Sequence, residues 1–303
     1  MTLLQMLIAL LIFPGGLFVL VNGLAYQWAR RKLIARLQNR IGPRWFQPLA
    51  DTIKLMAKEQ IIPDGVNALL FTGLPVLALT GALTAVLYLP IAGLPSSASF
   101  PGDLIVTLYL LSLLTICTSL VGLNSNDRFS VMGALRTLTQ LFAYEAPFML
   151  ALLGPAVVAR SWEISQIASS WNWLIVTQPI GFGIAMIGLM GKLELPPFDA
   201  PEAETEIVAG ALTEYSGRGL ALFHLARAVE LVAGLTLIAA FYLGGLSNPL
   251  DYLLKTLLLL VALASIQTLL ARLRITQTVG GWWRYGVLLM LAQWLVIMLG
   301  RTL

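Results

Sequence analysis

The chain has 303 residues, 58% of them hydrophobic and only 11% charged, where soluble domains carry about 25% charged residues. That balance excludes an ordinary soluble fold and makes the bilayer the solvent. The net charge of +4 reads as membrane topology and not as nucleic-acid binding, because cytoplasmic loops retain Lys and Arg. With one cysteine, Cys117, and one histidine, His224, the chain lacks the ligands for a disulfide framework, a zinc site or an iron-sulfur cluster. No spacing suggests haem ligation, so electrons are expected to travel on other chains.

A hydrocarbon core of about 30 Å needs roughly 20 mostly apolar residues per helix. Eight windows meet this: 2–28, 67–93, 102–123, 131–158, 172–193, 219–245, 250–271 and 281–300. The expected fold is therefore all-α, a single polytopic membrane domain over 1–303. The first window lacks the positive flank and cleavage site of a signal peptide and is expected to stay in the protein. Pro14, Gly15 and Gly16 in the first window, with Pro147 and Pro155 in the fourth, mark expected kinks. Basic residues gather in the odd-numbered connections, above all Arg30, Arg31, Lys32, Arg36, Arg40 and Arg44 in the first. This asymmetry places the odd loops in the cytoplasm and both termini outside, in a cell (inner) membrane. Within the long first loop, Phe46, Leu49, Ile53, Leu55 and Met56 alternate with Asp51, Lys54 and Lys58. That spacing predicts a short amphipathic helix at the membrane surface.

Two sets of ionisable residues stand out. The connection between the fifth and sixth helices, 194–217, places Glu194, Asp199, Glu202, Glu204, Glu206 and Glu214 beside Lys192. Crowded carboxylates at an apolar boundary have raised pKa values and suit proton uptake and release. The same run also fits an acidic docking surface for a soluble partner. Inside the helices lie Arg136 and Glu145 in the fourth, and Arg227 and Glu230 in the sixth, with His224 one turn before Arg227. A charge at the bilayer centre costs at least ~2.5–3.5 kcal/mol, so such residues face protein or water and mark a pathway or lock helix packing. Nine positions separate Arg136 from Glu145, which points them to opposite sides. Arg227 and Glu230 are three apart and are placed to form a local ion pair.

The stretches QNRIGP (38–43), QPLADTIKLMAKE (47–59), SNDRFSVMGALRTLTQLFAYE (125–145), PPFDAPEAETEIVAG with TEYSG (196–217) and ARLRITQ (271–277) run in order through nearly the whole chain. At these motifs the chain resembles the subunit 1 family of membrane subunits shared by respiratory complex I and membrane-bound nickel-iron hydrogenases of the formate-hydrogenlyase type. The resemblance implies a non-catalytic membrane anchor and coupling subunit of a redox-driven proton or sodium pump. Its expected partners are hydrogenase-like large and small subunits and an iron-sulfur subunit of a peripheral arm, antiporter-like membrane subunits, and the lipid membrane. Iron-sulfur clusters and nickel-iron or flavin sites would sit on those partners, with quinone as a further possible cofactor. Carried over by position, Glu202, Glu204, Glu206 and Glu214 match the coupling acids of the loop, Glu145 the helix acid and Arg136 the helix arginine. The motif-bearing loops make Arg36, Arg40, Arg44, Asp51, Lys54, Lys58, Glu59, Arg272 and Arg274 expected contacts of the peripheral arm or of a quinone border.

Departures from the complex I pattern bear on the branch. The chain reads LQNRIGP where complex I has GPNRVGP, and has one residue fewer before the Gln-Pro pair. It places Arg227 where complex I has an acid, and ARLR where complex I has a Pro-Arg-x-Arg run. These features point to an energy-converting hydrogenase or a ferredoxin-linked complex. The alternative is subunit 1 of a quinone-reducing NADH dehydrogenase.

Overall fold

The computed structural model describes residues 11–13, 15–169 and 173–302, without the side chains of residues 300–302. The described residues are helical with no strand. In chain order the helices are α1 (Gly16–Leu37), α2 (Gln47–Ala57), α3 (Ala68–Val86), α4 (Asp103–Asn124), α5 (Arg128–Ala159), α6 (Ile164–Ser169), α7 (Leu174–Thr177), α8 (Pro179–Lys192), α9 (Glu204–Ile207), α10 (Gly217–Tyr242), α11 (Pro249–Leu269), α12 (Ile275–Gly281) and α13 (Val287–Thr302). A π turn, Trp282–Gly286, joins the last two into one rod.

Local chemistry sets the boundaries. Asn67 caps α3 by accepting from the backbone of Leu69 and Leu70. Asp127 caps α5 by accepting from Ser130 N at 3.0 Å. Both satisfy amides that the first helical turn leaves unpaired. The 32 residues of α5 span about 48 Å, well beyond the hydrocarbon core. The helix stays continuous through Pro147 and Pro155 and ends at Arg160, which takes a left-handed conformation.

The packing centres on α10. Nearly every residue from Ala226 to Tyr242 is buried, with α1, α3, α11 and the amphipathic α2 ranged around it. A second seam runs α3, α4, α5, α8. Close approach at Gly133 lets the acidic loop sit on α5, since a Cβ there would stand 2.3 Å from Ala211 N. The outward faces carry exposed apolar side chains such as Leu69, Leu253, Leu258 and Leu295, as lipid contact requires.

Six of the eight expected windows are helices long and apolar enough to cross a bilayer. The other two differ from expectation. The first begins among residues outside the described set, where Pro14 also lies, and the described helix starts at Gly16, with Gly15 before it. It continues to Leu37, so Arg30, Arg31, Lys32 and Arg36 are helical and not part of the loop. No Gly or Pro interrupts residues 24–37, and Arg and Lys are good helix formers, so charge ends the apolar span without ending the helix. The fifth window is broken before Pro179, which has no amide to donate. The part after the break, Pro179–Lys192, has 14 residues, about 21 Å. The last helix starts earlier than expected, at Ile275, and takes Arg284 into its π turn.

The amphipathic helix in the first loop is present as α2, with Pro48 in its first turn. It packs against α1 and α10 while Leu49, Ile53 and Met56 stay exposed.

Candidate functional site

Three polar residues near the start of α5 hold the acidic loop. Gln140 Nε2 donates to Gly191 O and Phe198 O at 2.9 and 2.8 Å. Thr137 Oγ1 donates to Glu194 Oε1 at 3.0 Å. Arg136 donates to Ala200 O at 3.2 Å and to Glu206 Oε2 at 2.7 Å. Opposite, on α10, Arg227 donates to Glu194 Oε2 at 2.7 Å and to the Glu202 carboxylate.

Glu194 is thus the keystone acid of the loop. It is 7% exposed and sits in the left-handed region at φ +51°, a conformation that costs a non-glycine residue on the order of 1 kcal/mol and persists only where surroundings impose it. Burial pushes its carboxyl up to about 7, with Arg227 opposing the rise and Glu202 adding to it. A carboxyl titrating near neutrality in contact with two partners is equipped to exchange a proton.

Deeper in the bundle, Lys192 at the end of α8 faces Glu230 on α10 at 3.6 Å, and both side chains are almost wholly buried. Lys192 Nζ also lies 5.9 Å from the centroid of the Tyr144 ring. Such a pair gains Coulomb energy at the expense of two desolvated ions. Glu145, on α5, accepts from Ser112 of α4, and its other oxygen is buried with no partner among the described residues. The expected pair of Arg227 with Glu230 does not form. Arg227 points out of the bundle to the loop acids and Glu230 points to Lys192, because each finds an opposite charge on a neighbouring element. Ionisable groups therefore follow one another from Glu202 through Arg227 and Glu194 to Lys192, Glu230 and Glu145.

The remaining predicted residues fall around this chain of charges. Arg272 grips Asp199 with two donors at 2.9 Å each, and that hydrogen-bonded partner raises the Arg272 pKa further. The Arg136 hydrogen bond holds Glu206 below the usual carboxylate range. Glu204 is exposed, and half-buried Glu214 makes no ion pair among the described residues. Arg36, Arg40, Arg44, Glu59 and Arg274 are exposed and lie outside the chain of charges.

Three cavities with lining residues in common border the loop and its neighbours. One of about 220 Å³ is lined by Gln27, Arg30, Arg31, Glu194, His224 and Arg227. Gln27, Arg31 and His224 also face a second, about 330 Å³, walled on its other side by Asp51, Lys54 and Lys58 of α2 and the residue that follows it. A third, about 370 Å³, shares Arg30, Glu194 and Glu202 and reaches Asp199 and Arg272. Sequence reasoning did not single out Arg30, Gln27, Thr137, Gln140 or Ser112 as site residues. The signal for Thr137 and Gln140 was present as polar positions on an otherwise apolar helix face.

The family model described as NADH dehydrogenase matches residues 8–298. This chain belongs to that NADH dehydrogenase family of membrane subunits. Among its curated members, the H subunit of the NADH-quinone oxidoreductase of Dehalococcoides mccartyi strain CBDB1 is 32% identical over 300 residues, covering 95% of this chain and 84% of the relative. The corresponding NADH-quinone oxidoreductase chain of Carboxydothermus hydrogenoformans is 36% identical over 247 residues, 78% of this chain and 69% of that one. A chain of the membrane-bound sulfane sulfur reductase (MBS), an archaeal respiratory membrane complex, superposes with a TM-score of 0.87 at 22% identity, over 97% of this chain and 98% of that one. That likeness establishes a shared fold. In this member of the NADH dehydrogenase family, the motif acids occupy the loop between α8 and α10, and the helix acid Glu145 stands on α5. Among the described residues no three His, Cys, Asp or Glu side chains gather as a metal site.

Proposed function

We propose that this chain is the membrane anchor and coupling subunit of a complex I-like redox-driven pump, passing charge changes at a peripheral arm to proton or sodium translocation in the membrane. The observation that carries this reading is the succession of ionisable groups from half-buried Glu202 and Arg227 through buried Glu194, Lys192 and Glu230 to half-buried Glu145. A proton gained or lost at Glu194 changes the charge facing Arg227, and with it the field felt by the Lys192–Glu230 pair, where low dielectric makes each charge act strongly on the next. The chain transfers no electrons in this scheme. Iron-sulfur clusters and nickel-iron or flavin chemistry belong to partner subunits, and antiporter-like membrane subunits receive the charge.

The departures at residues 37–48, at Arg227 and at 271–274 favour a hydrogenase or ferredoxin-linked partner set. A second reading, subunit 1 of a quinone-reducing NADH dehydrogenase, draws support from the names of the curated relatives and from the donors that two neighbouring cavities share. Gln27, Arg31 and His224 would there hold the oxygens of a quinone head group. The quinone would supply the two-electron redox couple. The neighbouring large subunit separates the branches, because both pairs of nickel-binding cysteines accompany the hydrogenase and their loss accompanies the quinone enzyme.

The coupling role is tested by Glu145→Gln in the intact complex. Gln keeps the Ser112 contact and removes the charge. Electron transfer should persist while membrane-potential formation falls, and undiminished pumping would count against the role.

A further inference from the structure

The hydroxyls along α4 are mostly spent inside their own helix. Thr107, Thr118 and Ser119 each donate to the carbonyl four residues back, at 2.8, 2.9 and 2.9 Å, which satisfies a hydroxyl buried away from water. Ser112 makes the same contact, to Leu108 O at 3.0 Å, and its Oγ also bonds to Glu145 Oε1 on α5. Ser112 is 5% exposed, so it meets both partners inside the protein.

A hydroxyl carries one hydrogen and two acceptor sites. Ser112 therefore donates to Leu108 O or to Glu145, and not to both at full strength. Glu145 depends on that choice. Ser112 is its one hydrogen-bond partner among the described residues, its Oε2 is enclosed without a partner, and it forms no ion pair there. An ionised carboxylate only accepts, whereas a protonated one donates through its O–H. The two protonation states of Glu145 thus make opposite demands on Ser112, and a hydroxyl meets both by turning about its C–O bond.

We propose that Ser112 is the positioning residue of Glu145, a hydroxyl rotor that serves the carboxyl in both of its charge states. With Glu145 ionised, the Ser112 hydrogen points to Oε1 and the bond to Leu108 O is given up. When a proton binds Oε1, the new O–H donates to Ser112 Oγ and the Ser112 hydrogen swings to Leu108 O. Ser112 itself neither gains nor loses a proton. Each state keeps one hydrogen bond between α4 and α5, so Glu145 stays in place as its charge changes. The assignment rests on the coupling role proposed for Glu145 and adds the group that holds it. A serine that served packing alone would be satisfied by Leu108 O, as Thr107, Thr118 and Ser119 are by their own carbonyls.

The test is infrared difference spectroscopy of the intact complex in lipid as pH is varied. The carbonyl band of protonated Glu145 is the one that Glu145→Gln removes. Ser112→Ala should shift that band to higher wavenumber, because the acid loses its acceptor, and Ser112→Thr, which keeps the hydroxyl, should restore the wild-type position. Ser112→Cys supplies a reporter of the rotor itself. Its S–H stretch should change frequency over the pH range in which the Glu145 band appears, and that change should vanish when Ser112→Cys is combined with Glu145→Gln. A Glu145 band indifferent to Ser112→Ala, an S–H stretch indifferent to the state of Glu145, or no Glu145 band at any pH would each overturn the proposal. Failure of the coupling role is read separately, from undiminished pumping in Glu145→Gln and not from these bands.

Discussion

Arg227 on α10 is bound to Glu194 at 2.7 Å across the junction between helix and loop, and not to Glu230 one turn along its own helix. This contact ties the acidic loop to the most buried helix of the bundle, so the charge state of the loop is registered in the core. It also divides two cations of α8 and α10, with Arg227 serving the loop and Lys192 serving Glu230.

Breaking the first contact should be costly. Arg227→Leu leaves Glu194 buried without its cation, and removal of one partner of a buried pair typically costs about 3–5 kcal/mol. Thermal unfolding of the purified complex should show that loss, whereas Arg227→Leu combined with Glu194→Leu should recover most of it.

A pH dependence follows from Glu194. Its folded pKa of about 7 stands above the ordinary glutamate value of 4.5, so between these values the native state binds more protons than the unfolded chain. Stability therefore falls as pH rises from about 4.5 to about 7 and then levels off, opposite in sign to an ordinary salt-bridged carboxylate. Glu194→Gln should flatten that part of the stability profile. It should also remove a carboxyl band that changes with redox state in infrared difference spectra. A profile unchanged by the substitution would show that Glu194 does not titrate there.

The Asp199–Arg272 contact is two-pronged and about a quarter exposed. Arg272→Lys keeps the charge and loses the fork. Because solvent screens the pair, the change should cost less than about 1 kcal/mol, and added salt should narrow the difference between wild type and variant.

Much of this architecture is legible in sequence, for identifiable reasons. Apolar windows locate helices well because lipid tolerates no other backbone arrangement except a closed barrel, and α4, α5, α10 and α11 fall within a few residues of their windows. The misjudged boundaries lie where a helix outlasts its apolar stretch, as α1 does through Arg36, or where a proline divides one window in two, as at Pro179. The acidic loop announces itself by composition, but pairing does not. Arg227 and Glu230 share a face, which nominates them for each other, while their actual partners Glu194 and Lys192 come from residues brought near only by the packing of α8 and the loop on α10. Glu194 was legible as one acid among six. Its rank follows from burial and from Thr137 and Arg227, which are 57 and 33 positions away.

The most direct test of coupling through this chain of charges is the number of ions moved per electron in proteoliposomes bearing the intact complex, with Lys192→Met and Glu230→Gln combined so that no unpaired charge is buried. The coupling reading predicts an assembled complex whose electron transfer persists while the ratio of ions to electrons drops steeply. A ratio equal to that of the wild type would contradict it and leave the buried pair a packing device alone.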